Sequence, residues 1–352
     1  MEIWQLVLLI ILGSIIIFAL IRYIVMIFMI KKILLSTMPR YEMPEYPMFI
    51  TYDDIKDKYP RNEYSFKSGK NLLSAFLYGK DNTKGFIVYV HGMCPGHIGY
   101  LSDIIELVNR GYQVFTYDFT GTGSSEGSSM KGVQTQAFDL RACLKFLSKS
   151  EEFKDKDIYL YGHSMGGYAV AVDVNESSKI KACVSIAGFD EPLSEITNTS
   201  LTNDKTRKFM KKNRFKFLSA MILIFGFNAN KKASKELKKT KVPTLVFHGN
   251  EDAVVNYQFD SIYSKKDEIN NDLVEYILVD TPPHNNHSTI LASTECYEYQ
   301  KMKEAERIEL ANQYGDKAKG YKESYDTYDV FKGNVANQDL MNKVDSFFME
   351  HK

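Results

Sequence analysis

The hydrophobic pattern divides the chain into three regimes. Residues 3–30 are almost unbroken apolar, with Arg22 as the one charge. Residues 36–62 mix tyrosines and charges with Pro39, Pro44, Pro47 and Pro60 and follow no period. From about residue 63, short β-rich runs alternate with stretches of helical period. The runs cover 64–67 and 72–78, around a Ser68-Gly69-Lys70 turn, then 85–90, 113–117, 157–161, 182–186, 243–247 and 274–279. The run GFIVYV at 85–90 has no solvent face, as expected of a strand covered on both sides. Residues 99–110 place Leu101, Ile104, Ile105 and Val108 close to a 3.6-residue period, with Gly111 at the stop position. Residues 135–147 repeat that pattern, and the alanine- and valine-rich 166–174 predicts a buried helix. Strands alternating with helices imply βαβ units and a mostly parallel central sheet flanked by helices.

The first regime is long enough to matter by itself. Residues 3–21 supply about the ~20 apolar residues that a helix needs to cross the hydrocarbon core. Arg22 and Tyr23 suit the interface that follows. A cleaved signal peptide would call for a positive start and a small-residue cleavage site. Here Met1-Glu2 precede the run and Lys31-Lys32 follow it. The expectation is therefore an uncleaved transmembrane anchor at 1–32, a juxtamembrane linker at 33–62 with at most one short helix, and one α/β domain at 63–352. With Lys31, Lys32 and Arg40 after the span, the positive-inside rule puts that domain in the cytoplasm.

Two segments break the alternation. Residues 190–241, after the sixth core strand, are far longer than an ordinary connection. Within them, 205–241 hold 13 Lys/Arg and the single acid Glu236, around an apolar stretch at 215–227. This predicts a helical cap over the sheet's carboxyl edge. The cap is either a solvated basic face or a surface that touches anionic lipid. Residues 294–335 are charged and tyrosine-rich with a helical first half, an insertion before a last helix at 338–349.

Composition narrows the function classes. Lys+Arg and Asp+Glu are both 44, so the net charge of zero argues against a dedicated nucleic-acid binder. Apolar residues at 44 % and charged residues at 25 % exclude global disorder. Cys94, Cys143, Cys183 and Cys296 form no CxxC pair, so no zinc or redox motif is indicated. They read as small buried hydrophobes in a reducing compartment.

The chemistry is concentrated in Gly162-His163-Ser164-Met165-Gly166-Gly167. The segment follows one β-run and opens a helical one. A strand that stops, turns tightly and enters a helix leaves no room for side chains two residues either side of the serine. Ser164 is thereby exposed at the sheet's carboxyl edge, where open α/β sheets bind ligands. A serine needs a base, and histidine titrates in the useful range.

With His91-Gly92, the segment Asp118-Phe119-Thr120-Gly121-Thr122-Gly123-Ser124-Ser125 and His248-Gly249-Asn250-Glu251-Asp252 in the same order, the chain resembles the α/β-hydrolase fold. The similarity is to the branch of monoacylglycerol lipases, lysophospholipases and serine aminopeptidases, over about 63–292 and 336–350. The resemblance implies Ser164 as nucleophile and Asp252 as the acid, ahead of Glu251. It implies a base in the loop DTPPHNNHSTIL, where His287 is preferred and His284 is the alternative. The oxyanion hole is expected from the backbone N–H groups of Met93 and Met165. The resemblance makes His91 and His163 structural, and leaves His97 lining the acyl pocket or facing water. No cofactor is implied. His284 and His287 lack nearby third and fourth metal ligands, and no dinucleotide or Walker motif occurs.

These readings converge on a membrane-anchored serine hydrolase of carboxylic esters. The anchor and basic cap favour a lipid-like ester such as a monoacylglycerol or lysophospholipid. The alternatives are a serine-aminopeptidase-like peptidase, a thioesterase, or a membrane-tethered scaffold on the same fold. Aminopeptidase sites usually hold an acid for the free amine, and the basic cap leans away from that.

Overall fold

A computed structural model of the chain describes residues 2–198 and 204–352. The apolar N-terminal run is one helix, α1 (Ile3–Thr37), of 35 residues, about 52 Å long at 1.5 Å per residue. It is long and apolar enough to cross a membrane. The boundaries expected for anchor and linker need correction, because the helix continues through residues 33–37. Nothing in LysLysIleLeuLeuSerThr breaks a helix, and Pro39 is the first residue that does.

The rest of the expected linker is packed rather than loose. Met38 O accepts from Met130 N at 3.0 Å and from Ser129 Oγ at 2.6 Å, and Tyr41 N donates to Gly121 O at 2.9 Å. The Arg40 guanidinium donates to the carbonyls of Gly123, Ser125 and Gly127. Ile50 and Ile55 are buried.

The α/β domain runs β1 (Arg61–Ser68), β2 (Asn71–Tyr78), β3 (Gly85–Val90), α2 (Leu101–Asn109), β4 (Tyr112–Tyr117), α3 (Thr135–Leu147), β5 (Ile158–His163), α4 (Met165–Val172) and β6 (Ile180–Ile186). The cap follows as α5 (Pro192–Asn198), α6 (Asp204–Lys212), α7 (Arg214–Phe225) and α8 (Ala233–Lys239). The chain closes with β7 (Thr244–Gly249), α9 (Lys266–Ile269), β8 (Val274–Val279), α10 (Thr294–Tyr314), α11 (Lys317–Asp326) and α12 (Gln338–Glu350). The expected cap thus holds four helices among its described residues, and residues 199–203 of that segment lie outside the described ones. The insertion at 294–335 is helical in both halves, because Gly315 ends α10 in a left-handed conformation (φ 63°) and Asp316 caps α11.

The eight strands form one sheet in the order β1-β2-β4-β3-β5-β6-β7-β8. β2 pairs antiparallel with β1 and β4, and all other pairs are parallel. The period-2 pattern divides each central strand between two cores. In β3, Phe86, Val88 and Val90 pack with α3, α4 and α8, whereas Ile87 and Tyr89 pack with α2 and α12. A third cluster joins α1 to the cap through Ile27, Ile30 and Leu34 against Phe217, Ala220 and Met221.

The turn from β5 into α4 positions the site. Ser164 holds φ 57°, ψ −118°, a conformation disfavoured for any residue with a side chain. A Cβ on Gly162 would meet Gly166 O at 2.3 Å, and one on Gly166 would meet Val90 O at 1.8 Å. Both obstacles are backbone, so no side chain can swing aside. Gly166→Ala is expected to cost on the order of 3 kcal/mol or more. Thermal unfolding of the purified protein checks this, and an unchanged midpoint would contradict the packing.

Candidate active site

Three loops at the carboxyl edge of the sheet bring the site together. β5 ends in the strained turn that carries Ser164, β7 ends two residues before a tight turn that carries Asp252, and β8 leads into the loop that carries His287. His287 Nε2 lies 2.9 Å from Ser164 Oγ, and its Nδ1 lies 2.7 Å from Asp252 Oδ2. The tautomer that satisfies both contacts has Nδ1–H donating to the carboxylate and Nε2 accepting from the hydroxyl.

Asp252 is fixed from all sides. Its Oδ1 accepts from Val254 N and Val255 N, each at 2.8 Å, and its Oδ2 also faces His248 Nε2 at 3.2 Å. Burial opposes its charge, but the hydrogen bonds and charges of His248 and His287 prevail and hold the carboxyl well below the usual range. Asp252 therefore remains an anion beside His287 at neutral pH. His248 opens the HGNED segment noted in the sequence, where it was given no role. Its place at the end of β7 was the available signal.

The second imidazole nearby has a different duty. His163 Nδ1 lies 2.8 Å from Tyr100 Oη, and Nε2 lies 2.8 Å from the carbonyl of His287. Burial, followed by the nearby His287, lowers its pKa to about 3, so the ring is neutral. It accepts from the tyrosine and donates to the carbonyl, which tethers the His287 loop to the serine turn. His91 is fully buried, stacks near Phe119 and contacts Gly92 O at 2.7 Å.

Other expected residues fall elsewhere. His284 contacts Thr294 Oγ1 at 3.1 Å and Thr289 O at 3.3 Å, and it makes no contact with Ser164. His97 neither lines the pocket nor faces water. It is buried against Phe76, with Nδ1 2.8 Å from Asp118 Oδ1 and Nε2 3.0 Å from Tyr78 Oη. Asp118, whose loop glycines crowd it, is what draws the ring inward. Glu251 is exposed, and its N–H donates to Asn285 O. Among the described residues, no group of three or more His, Cys, Asp or Glu is placed to hold a metal ion. All four cysteines are buried and free.

Ser164 and Met165 line a cavity of about 340 Å3 together with Met93, a size within the range of small-molecule sites. Met165 is the first residue of α4, so its N–H has no partner within the helix. The remaining lining is mainly apolar, from Phe189, Ile196, Phe217, Met221, Phe225 and Val254 among others. Polar side chains interrupt it at Thr37, Lys131, Gln134, Glu195 and Thr206. Gln134 is buried with neither amide atom hydrogen-bonded. Glu195, in the cap helix α5, also lines the cavity, and burial raises its pKa to about 8. Nothing in the sequence distinguished Glu195 from a surface acid, because only the fold of the cap turns it inward.

Residues 81–214 match the sequence model of the family described as serine aminopeptidase, S33. No curated protein matches the chain by sequence. Among solved structures, an esterase of Pyrococcus furiosus is 19 % identical with a TM-score of 0.52, covering 71 % of this chain and 90 % of its own. An acylaminoacyl peptidase of Pyrococcus horikoshii is 16 % identical with a TM-score of 0.47, over 65 % of this chain and 38 % of its own. The esterase domain of a Rhodothermus marinus protein is 18 % identical with a TM-score of 0.44, over 64 % and 89 %.

The buried Glu195 has a measurable consequence. Its folded pKa lies above the ordinary glutamate value of 4.5. Between that value and about 8 the folded protein keeps a proton that the unfolded chain has released, so stability falls as pH rises through this window. Glu195→Gln is expected to raise the unfolding temperature by several degrees at pH 9 and to leave it nearly unchanged at pH 4.5. Equal shifts at both pH values would show that the carboxyl is not buried as described.

Proposed function

We propose that this chain, whose residues 81–214 match the family described as serine aminopeptidase, S33, and whose fold is like that of the Pyrococcus furiosus esterase, is a membrane-anchored serine hydrolase of lipid-like carboxylic esters. The observation that carries the reading is the hydrogen-bonded series Ser164–His287–Asp252, with Ser164 on the wall of a mainly apolar cavity. In this reading Ser164 Oγ attacks the ester carbonyl carbon as its proton passes to His287 Nε2. The Met93 and Met165 N–H groups hold the oxyanion, and Asp252 stabilises the imidazolium. The tetrahedral intermediate collapses, the C–O bond to the alcohol breaks, and His287 returns the proton to the leaving oxygen. Water then attacks the acyl-enzyme by the same route and releases the acid and free Ser164. No cofactor is required.

Support for a lipid-like substrate comes from location and lining. α1 is long enough to cross a bilayer, and Lys31, Lys32 and Arg40 follow its apolar run, which favours a cytoplasmic domain. The basic cap carries Lys208, Lys211, Lys212 and Lys216 beside exposed Phe209 and Phe215, a combination suited to an anionic membrane surface. A specific observation favours a second reading. Glu195 offers a carboxyl inside the cavity, where the free amine of a peptide substrate would find a partner and ionise it.

Labelling by a fluorophosphonate probe tests the nucleophile and the base. Ser164→Ala and His287→Ala are expected to abolish labelling, and His284→Ala to retain it. Turnover of a monoacylglycerol should fall about 10⁴-fold or more in Ser164→Ala. Hydrolysis of aminoacyl amides but not of esters would move the reading to the peptidase. A folded wild-type protein that hydrolyses neither class and does not label in anionic vesicles would leave the scaffold.

A further inference from the structure

The end of the N-terminal helix is part of the cavity that holds Ser164. Ile33, Leu34 and Thr37 of α1, with Met38 just after it, line the same space as Ser164 and Met165. Phe217, Met221 and Phe225 of α7 complete it. The two helices are joined along their length. Tyr23 Oη lies 3.0 Å from Ser219 Oγ, and below that point Ile27, Ile30 and Leu34 are buried in the cluster that contains Phe217, Ala220 and Met221. At its far end α7 is held to the α/β core by Phe225 stacked on Phe138, with ring centroids 5.6 Å apart.

We infer that the last turns of α1 form a wall that holds the hydrocarbon chain of the ester, and that this chain enters from the bilayer along the seam between α1 and α7. The inference rests on the reading of Ser164 as an acyl-transfer nucleophile and adds to it where the substrate's tail lies and which residues set its length.

Position along the helix supports the route. The apolar run ends at Ile30, Lys31 and Lys32 follow, and the first cavity residue is Ile33. A helix advances about 5.4 Å per turn, so the cavity begins within one turn of the end of the apolar run. The surface beside the seam is apolar as well. Above residue 27, α1 exposes Ile, Leu, Val and Phe side chains on all sides, and the cap adds Phe215 at 82 % and Phe227 at 96 % exposure. Large aromatic side chains so exposed in water would be costly, whereas in lipid they need no partner. A hydrocarbon chain moving from the membrane into this cavity therefore meets mainly apolar groups, with Lys131 and Thr206 among the exceptions. A small soluble ester gains nothing from that wall.

Ile33 and Thr37 are the residues with which to test it, because Ile33 is 47 % exposed and Thr37 is also classed as exposed. Added bulk there narrows the cavity without entering the core. The measurement uses the full-length chain in phosphatidylcholine–phosphatidylglycerol vesicles and compares Ser164 labelling rates for ethyl- and dodecyl-chain fluorophosphonates. Ile33→Trp and Thr37→Trp are expected to reduce the dodecyl-over-ethyl preference about tenfold. A preference that stays near the wild-type value in both variants overturns the inference, with the labelled serine still in place. Labelling with neither probe would instead remove the serine-hydrolase reading. The wall is then decided without turnover, by binding of a fluorescent polyene fatty acid to Ser164→Ala. Weaker binding after Ile33→Trp or Thr37→Trp supports the wall, and unchanged binding overturns it.

Discussion

At Gly166 the backbone of α4 comes against the end of β3 so closely that even a methyl group would strike the carbonyl of Val90. That approach lets β5 stop and reverse into a helix within a single residue. It leaves Ser164 at a positive φ, with its hydroxyl raised above the sheet edge. The loop after β3 is drawn to the same point, so Met93 and Met165 line the cavity on either side of the serine. β6 adds a further constraint, since Ser164 N donates to Ile186 O at 2.8 Å. The strained serine is held by its neighbours on three strands, which is how a disfavoured conformation persists.

The polar groups around this point are arranged by depth. Asp252 is kept charged because three donors converge on its two oxygens, with the His248 ring close by. His163, a few ångströms away, is kept neutral by burial and spends both nitrogens on structure. Glu195 lies on the cap side with no comparable set of donors, and its proton stays on to about pH 8. Three ionisable groups in one region are thus driven to different states, Asp252 by the hydrogen bonds it receives and His163 and Glu195 by burial. The cavity beside them presents the Ser164 hydroxyl, Lys131, Gln134 and the protonated Glu195 to whatever enters.

Much of the α/β core was readable because its signals are local. The apolar runs at 85–90 and 274–279 and the helical period at 135–147 coincide with β3, β8 and α3. The glycines around Ser164 report a turn that only glycine fits. The order of the motifs pointed to Asp252 and to a loop holding both His284 and His287, of which the fold brings His287 within hydrogen-bond reach of Asp252 and of Ser164. What could not be read depends on contacts between distant segments. The expected linker looked loose because its prolines forbid regular elements, yet residues 38–41 are bonded to the loop at 121–130. His97 has the same flanks whether it faces solvent or Asp118. Glu195 turns inward only once α5 lies across the sheet edge, and α1 shows no preference for α7 until both exist, since its apolar residues encircle it.

The joint between α1 and the cap also has a history in time. During synthesis α7 emerges about 180 residues after α1, a delay of roughly 10–35 s at the usual rates of translation. Throughout that interval Ile27, Ile30 and Leu34 have no protein partner. In water such a bare stripe would invite aggregation, but in hydrocarbon it is indifferent, because lipid tails are as apolar as the side chains that later replace them. A chain that enters the bilayer first can wait there without loss while the sheet assembles behind it. If α1 spans a membrane, α7 displaces lipid from the seam when it arrives and packs against Ile27, Ile30 and Leu34. A chain without α1 would leave Phe217, Ala220 and Met221 of the cap without Ile27, Ile30 and Leu34 to cover them.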